Sequence, residues 1–323
     1  MNIEQNVDIL ISRFENSLSK HLINNPKLSR FSEGLKYSLL PPGKFFRPNL
    51  AFFSFCDKTG LSPEELFNNE TEALKNIENF CYFLEVHHVY TLLHDDMPCM
   101  DDDDLRRSKA SHHKQFSEWE ALLTGDAYQV LSWRYLSYID HPNFQRLYRL
   151  ATWSLGAKGL ILGQYLDLSK MMKSSFEYVL KTHELKTARL IQLSIAGAAL
   201  LANKDFRPIK QSWRLGYSLG LSFQFLDDLF DLEETQSSSE TNHEQDIQPW
   251  INFKPQSLEV LESVLEKTDD LLKDHPYTSC YVKKYFKKNL NELQKQKTSL
   301  RVHLSDNELD RIESLLKLVC LND

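Results

Sequence analysis

The sequence predicts an all-α fold, a bundle of helices around a central apolar cavity. Three observations lead there. Apolar residues recur at helical spacing along most of the chain. Glycine is scarce, 10 in 323 residues, about 3% where ~7% is usual, so a sheet with many tight turns is disfavoured. Two stretches, ending near Asp95 and near Asp227, each carry an apolar stripe that finishes in aspartates. A bundle in which the two acid clusters face one mouth is the economical arrangement, since bundle cavities are lined from facing helices.

The length is large for one domain but within range for a helical one, and 1–323 is expected to be a single helical domain. The net charge of −7 disfavours wholesale nucleic-acid binding. An anionic small substrate would then need local cations or metals. The five cysteines (Cys56, Cys81, Cys99, Cys280, Cys320) are scattered and show no metal spacing. They are read as free thiols of a cytoplasmic protein. The first residues lack a basic region followed by an apolar run, so no signal peptide is expected. No apolar stretch approaches a membrane span.

The elements follow in order. Ile3, Val7, Leu10, Ile11, Phe14 and Leu18 mark an amphipathic helix over 3–22. Pro41-Pro42-Gly43 then forces a turn presenting Lys44 and Arg47, and Pro48 can open the next helix. Two cations on a stiff turn could grip a phosphate, or could be solvated surface charge. Residues 71–96 read as one long helix, with Ile77, Cys81, Leu84, His88, Thr91 and Asp95 on one stripe. Pro98 cannot extend it, so the acids begin at its C-terminal end, against the helix dipole. His88 by itself would be an ordinary core histidine.

From Asp95 to Asp104 six aspartates lie within ten residues, and Arg106-Arg107 follow. Hard divalent cations take oxygen ligands and bridge carboxylates to phosphate. Arginine grips phosphate bidentately. Together these suggest a diphosphate site; a solvated acidic turn is the alternative. Helices are expected over 117–140, 144–172 and 175–203, the second carrying Gln164 and Asp167 on one face and the third Lys186-Thr187. In the helix over 208–234, Gly216, Gly220, Gln224, Asp227 and Asp231 share a stripe. Like charges at i, i+4 destabilise an isolated helix, which a bound metal would relieve. A polar, serine-rich run over 233–249 reads as a mobile surface loop, taken to extend to 255, and the remainder as amphipathic helix broken near His275-Pro276 and Leu304-Ser305-Asp306.

These motifs, in this order, resemble the trans-polyprenyl diphosphate synthases, of the bacterial farnesyl or geranylgeranyl type. The first aspartate motif is Asp95, Asp96 and Asp101, followed by Leu105-Arg106-Arg107. The second is Phe223-Gln224 with Asp227, Asp228 and Asp231. Gly43 to Pro48 matches the Gly-Lys-x-x-Arg-Pro turn, and Gly125-Asp126, Gly163-Gln164-x-x-Asp167 and Lys186-Thr187 fall between. The resemblance covers about residues 30–235.

The resemblance implies the isoprenoid synthase bundle, usually a homodimer. It implies about three Mg²⁺, bound through Asp95, Asp101 and Asp227, with Asp96, Asp228 and Asp231 nearby or linked by water. Arg106, Lys186 and Gln224 would hold the allylic diphosphate. Lys44, Arg47, His88 and Arg107 would hold isopentenyl diphosphate. Thr187, Gln224 and the Lys186 carbonyl would steady an allylic cation. Tyr90, five residues before the first motif, would set product length together with Thr91. Its bulk and the two-residue insertion in the motif suggest farnesyl diphosphate, with geranylgeranyl diphosphate the alternative.

Three departures stand out. No lysine lies between Asp231 and Lys254, the usual Arg-Gly-Lys-Pro reads Arg107-Ser108-Lys109-Ala110, and no Arg-rich terminus is evident. The missing lysine is the only support for a non-catalytic regulatory homologue, because both acid clusters are complete. A terpene cyclase would lack the Gly-Lys-x-x-Arg-Pro turn.

Overall fold

The computed structural model describes residues 2–22, 26–232 and 247–321. The chain forms two compact units, Met1–Cys56 with Gly60–Gln145, and Asp57–Thr59 with Arg146–Asp323. Both are helical, as expected; among the described residues the only strands are a two-residue pair.

The first unit opens with α1 (Ile3–His21), capped by the Asn2 side chain, which accepts from Gln5 N. Ile3, Leu10, Phe14 and Leu18 of the predicted stripe are buried, while Val7 and Ile11 are half-buried at its margin. After α2 (Ser29–Tyr37), the proline turn leads into α3 (Phe46–Thr59). Pro48 falls in the first turn of α3, where a missing N–H has no helical partner to lose. A short α4 (Pro63–Asn69) carries a Ser62/Glu65 capping box.

The long helix predicted over 71–96 is α5 (Glu72–Asp95), capped by Thr71. It is buried on nearly every face, which an amphipathic surface helix is not. Beyond the acid run, β1 (Leu105–Arg106) pairs with β2 (Lys109–Ala110) in register Leu105↔Ala110, Arg106↔Lys109. The connecting residues Arg107 and Ser108 both have positive φ, 53° and 61°, the backbone of a type I′ hairpin. After α6 (His112–Gln115), α7 (Glu118–Ser137) is the helix against which α5 chiefly packs.

In the second unit the single helix expected over 144–172 is two, α8 (Phe144–Leu155) and α9 (Leu160–Leu168). The break falls at Gly156 and Gly159, where a Cβ on Gly159 would lie 1.8 Å from the Ser154 carbonyl oxygen. The next predicted helix is continuous but not uniform. It comprises α10 (Phe176–Thr182), a π-helical turn (His183–Ala188) and α11 (Arg189–Leu201). The second acid helix is α12 (Phe206–Phe230), packed on α11 and on a later helix.

The expected loop over 233–255 falls in two parts. Residues 233–246 lie outside the described residues. Beyond them the chain is helical: α13 (Pro249–Asn252), then α14 (Lys254–Leu272), which lies against α12. Trp250 causes the difference. It is 1% exposed, and its indole N–H donates to the Phe225 carbonyl at 2.8 Å, tying the segment to α12. The predicted breaks then separate α15 (Pro276–Leu300) and α16 (Asp306–Leu321).

Candidate active site

In the first unit the C-terminal end of α5 organises the acids. After Pro98 the chain curls back, and Asp101 N donates to the Asp95 carbonyl at 2.9 Å. That bond returns Asp101 to the helix end that carries Asp95. Asp101 is exposed and Asp95 half-buried. Asp96 is different: it is 2% exposed and accepts from Arg106 Nε at 2.7 Å. Burial raises its pKa, against the pull of Arg106. Arg106 also bonds Asp103 at 2.5 Å. Asp96 therefore acts first as the anchor of Arg106. Lys114 pairs with Asp104 at 2.8 Å.

The cationic turn gathers against the same helix. Arg47 Nη1 donates to His88 Nε2 at 3.0 Å. Burial and the neighbouring Arg47 drive the His88 pKa well below its usual value, so His88 is a neutral acceptor. Burial, and Arg107 nearby, lower the Arg47 pKa to about 10 despite Glu85. A Cβ on Gly43 would lie 2.3 Å from Arg107 Cζ, so glycine there lets the turn close over that guanidinium. Lys44 is exposed at the turn's tip. A cleft of about 180 Å³ adjoins this region, lined by Tyr37, Pro42, Val89, Leu93, Arg106 and Arg107 among others.

Tyr90 is buried, its ring edge-on to His87 and to His94, each at 5.0 Å. Thr91 is half-buried and donates its hydroxyl to the His88 carbonyl at 2.8 Å. Gly125 makes room for His94, whose Nε2 would be 2.1 Å from a Cβ there.

In the second unit the glycines of α12 explain the second stripe. A Cβ on Gly216 would lie 2.5 Å from Gln192 Cα, and one on Gly220 2.4 Å from Ala188 Cα. The helices therefore touch backbone to backbone. One turn on, Gln224 Oε1 accepts from Thr187 Oγ1 at 2.6 Å, while its amide donates to Asp228 at 2.8 Å. His183 Nε2 lies 3.1 Å from the other Asp228 oxygen. Asp227 and Asp231 stay exposed at the helix end. Lys186 Nζ bonds Asp167 at 2.5 Å. Gly163 permits the approach: a Cβ there would lie 2.3 Å from Lys186 N. π-Turns often mark functional sites, and this one carries Lys186 and Thr187.

Thus Thr187, Gln224, Asp228 and His183 form one network in the second unit, and Lys186 pairs beside it with Asp167. Arg47 with His88, and Arg106 with Asp96, form pairs in the first. Among the described residues no three His, Cys, Asp or Glu side chains converge as a ready-made metal cage. Mg²⁺ does not need one, since it keeps waters and takes one or two carboxylates plus substrate phosphates. The all-oxygen donor set fits that ion. Sequence reasoning missed Glu85, buried beside Arg107, and His183. An acid in the most apolar stretch of α5, three residues before His88, was the available signal for the first.

A family model described as Polyprenyl synthetase matches residues 29–251. The chain belongs to that family. This polyprenyl synthetase is 30% identical over 271 residues to the farnesyl diphosphate synthase of Micrococcus luteus, covering 80% of this chain and 89% of that one. It is 32% identical over 212 residues to the chloroplastic geranylgeranyl pyrophosphate synthase 12 of Arabidopsis thaliana, covering 63% and 56%. The solved geranyltransferase of Helicobacter pylori, complexed with magnesium and isoprenyl diphosphate, superposes with a TM-score of 0.64 at 26% identity, covering 98% of the synthetase and 96% of that chain. The synthetase is accordingly a prenyltransferase. No helix among its described residues is long and apolar enough to cross a membrane.

Proposed function

We propose that this prenyltransferase condenses isopentenyl diphosphate with dimethylallyl and geranyl diphosphates and stops at farnesyl diphosphate. The observation that carries the chain length is Tyr90, a buried ring just ahead of the Asp95 cluster and braced by His87 and His94. A bulky, braced ring there gives a prenyl tail a fixed floor.

Asp95, Asp96, Asp101, Asp227, Asp228 and Asp231 are the proposed Mg²⁺ ligands, with Asp96 and Asp228 in supporting places because each already holds a neighbour. Bound Mg²⁺ would neutralise the charge that develops on the departing diphosphate. Arg106, Lys186 and Gln224 would hold that diphosphate while the allylic C–O bond breaks. The Thr187 hydroxyl and Gln224 amide, fixed to each other, offer oriented dipoles to the allylic cation. Lys44, Arg47, His88 and Arg107 would hold isopentenyl diphosphate so that its double bond attacks. The new C–C bond forms, one proton leaves to the released diphosphate, and a longer allylic diphosphate results.

The exposed apolar residues of α7, Trp119, Leu122, Leu123 and Val130, support the expected homodimer, since such stripes mark contact surfaces. Sedimentation would test it; a monomer at all concentrations refutes it.

The test of function is incubation with Mg²⁺, isopentenyl diphosphate and each allylic primer, then product sizing. Farnesyl diphosphate as the end product is expected. A geranylgeranyl product moves the floor elsewhere, and no elongation with any primer overturns the reading.

A further inference from the structure

Two glutamates of α5 are buried, and they differ. Glu78 has an evident reason to be there, because Arg13 pairs with it through Nε and Nη2. Glu85 is 1% exposed, and its Oε1 makes no hydrogen bond. Its nearest cation is Arg107, with Nη2 at 3.9 Å, too long for a hydrogen bond. A buried carboxylate left in this state costs stability and points to a role beyond packing.

The neighbours give the role. Glu85 and His88 are three residues apart on α5 and share a face. His88 takes one side of the Arg47 guanidinium, whose Nε is enclosed and has no partner. Arg107 reaches the region from the hairpin with its backbone at φ 53°, under the turn at Gly43. Glu85 acts electrostatically on both arginines, which repel each other.

Resting on the function proposed above, we infer that Glu85 is a positioning residue for isopentenyl diphosphate: its carboxylate keeps Arg47 and Arg107 together so that both meet one diphosphate. Charge alone gives the opposite sign, because removing a carboxylate near a diphosphate would tighten binding. Geometry outweighs it. Glu85 acts on both of these mutually repelling guanidiniums, and a shift of ~1 Å in a gripping group can cost on the order of 10²-fold.

The test is Glu85→Gln, nearly isosteric, in the full chain with Mg²⁺. The KM for isopentenyl diphosphate is expected to rise about tenfold or more, and its calorimetric Kd with it. The KM for the allylic primer should stay within about twofold of wild type, a split that general destabilisation would not produce. Glu85→Asp, which keeps the charge, should restore part of the loss and carries the same test if the glutamine variant does not fold.

A pH series adds a second readout. Burial raises the Glu85 pKa, so in wild type the KM for isopentenyl diphosphate should climb as mild acid neutralises the carboxylate. His88 shares the group's helix face, and Arg47 from α3 and Arg107 from the hairpin act on it; Lys44, in the turn before α3, is exposed. The substrate's own titration is common to both proteins, so the climb should be shallower in Glu85→Gln. An unchanged or lower KM, equal changes in both KM values, or parallel pH profiles would overturn the inference alone. Wild-type protein that neither elongates a primer nor binds isopentenyl diphosphate would overturn the proposed function and the inference with it.

Discussion

Replacing Gly220 by alanine tests whether the close contact of α11 and α12 places the acid-bearing end of α12. The new Cβ would lie 2.4 Å from both Cα and Cβ of Ala188. Carbon atoms pack at ~3.5–4.0 Å, so the two backbones must part by about 1 Å. No side-chain rotation relieves the clash, because the obstacle is a backbone. Overpacking of this kind costs ~1–3 kcal/mol. At ~2–4 °C per kcal/mol, the Tm should fall by about 4–8 °C for a cost near 2 kcal/mol. Gln224 is one turn further along, bonded to Thr187 at 2.6 Å, and the displacement breaks that bond. Turnover should then drop by more than the lost stability explains, on the order of 10²-fold. Thermal melts by circular dichroism and product formation at saturating Mg²⁺ and both diphosphates measure the two effects. A Tm within about 1 °C of wild type would refute the backbone contact. A lowered Tm with full turnover would refute the claim that the contact aligns the site.

Three further outcomes follow from local geometry. Ser108 sits at φ 61° in the hairpin, where a side chain costs ~1–2 kcal/mol, so Ser108→Gly should stabilise by about 1 kcal/mol in urea unfolding; a loss of stability would count against the turn. Tyr90→Ala should lengthen the product, with the His87 ring as the next barrier, and an unchanged chromatogram would place the floor elsewhere. His275 is held neutral by burial, its pKa lowered to about 4, and its Nε2 accepts from Lys58 Nζ at 3.2 Å. Between its ordinary 6.5 and that value the unfolded chain takes up the proton first, so stability should fall as pH drops through this window. His275→Gln should flatten that part of the Tm profile, and identical profiles would show that other groups set the slope.

What could be read from the chain depended on how local its cause was. The extent of α5 was legible because the Thr71 cap, a long apolar run and Pro98 all act within a turn or two. The acid clusters and the Gly43 to Pro48 turn were legible because their chemistry is dense in sequence. The hairpin was not, since Arg107-Ser108 carries none of the Asn-Gly signal that usually marks a type I′ turn. The break between α8 and α9 was written in Gly156 and Gly159 but overridden by the apolar period on either side. The α13 segment looked like loop because its order comes from Trp250 reaching Phe225, a contact distant in sequence. The bond from Arg106 to Asp96 could not be read either, because it joins two residues whose side chains meet only once the chain has turned back after Pro98. Nothing near Lys186-Thr187 announces a π-turn, because the pattern there remains helical.

The bonds of Arg106 to Asp96 and Asp103, and of Lys114 to Asp104, give the acid run its own internal counter-ions. Small metalloproteins unfold when their ion is stripped, because its binding supplies their folding energy, and any repulsion among the bared ligands adds to the loss. Here much of that repulsion is already cancelled by residues of the same segment. The polypeptide can therefore mature before it meets magnesium, and chelation should silence turnover while leaving the melting curve nearly in place. Ion supply would then act as a throttle on flux and not as a condition of survival for the folded chain.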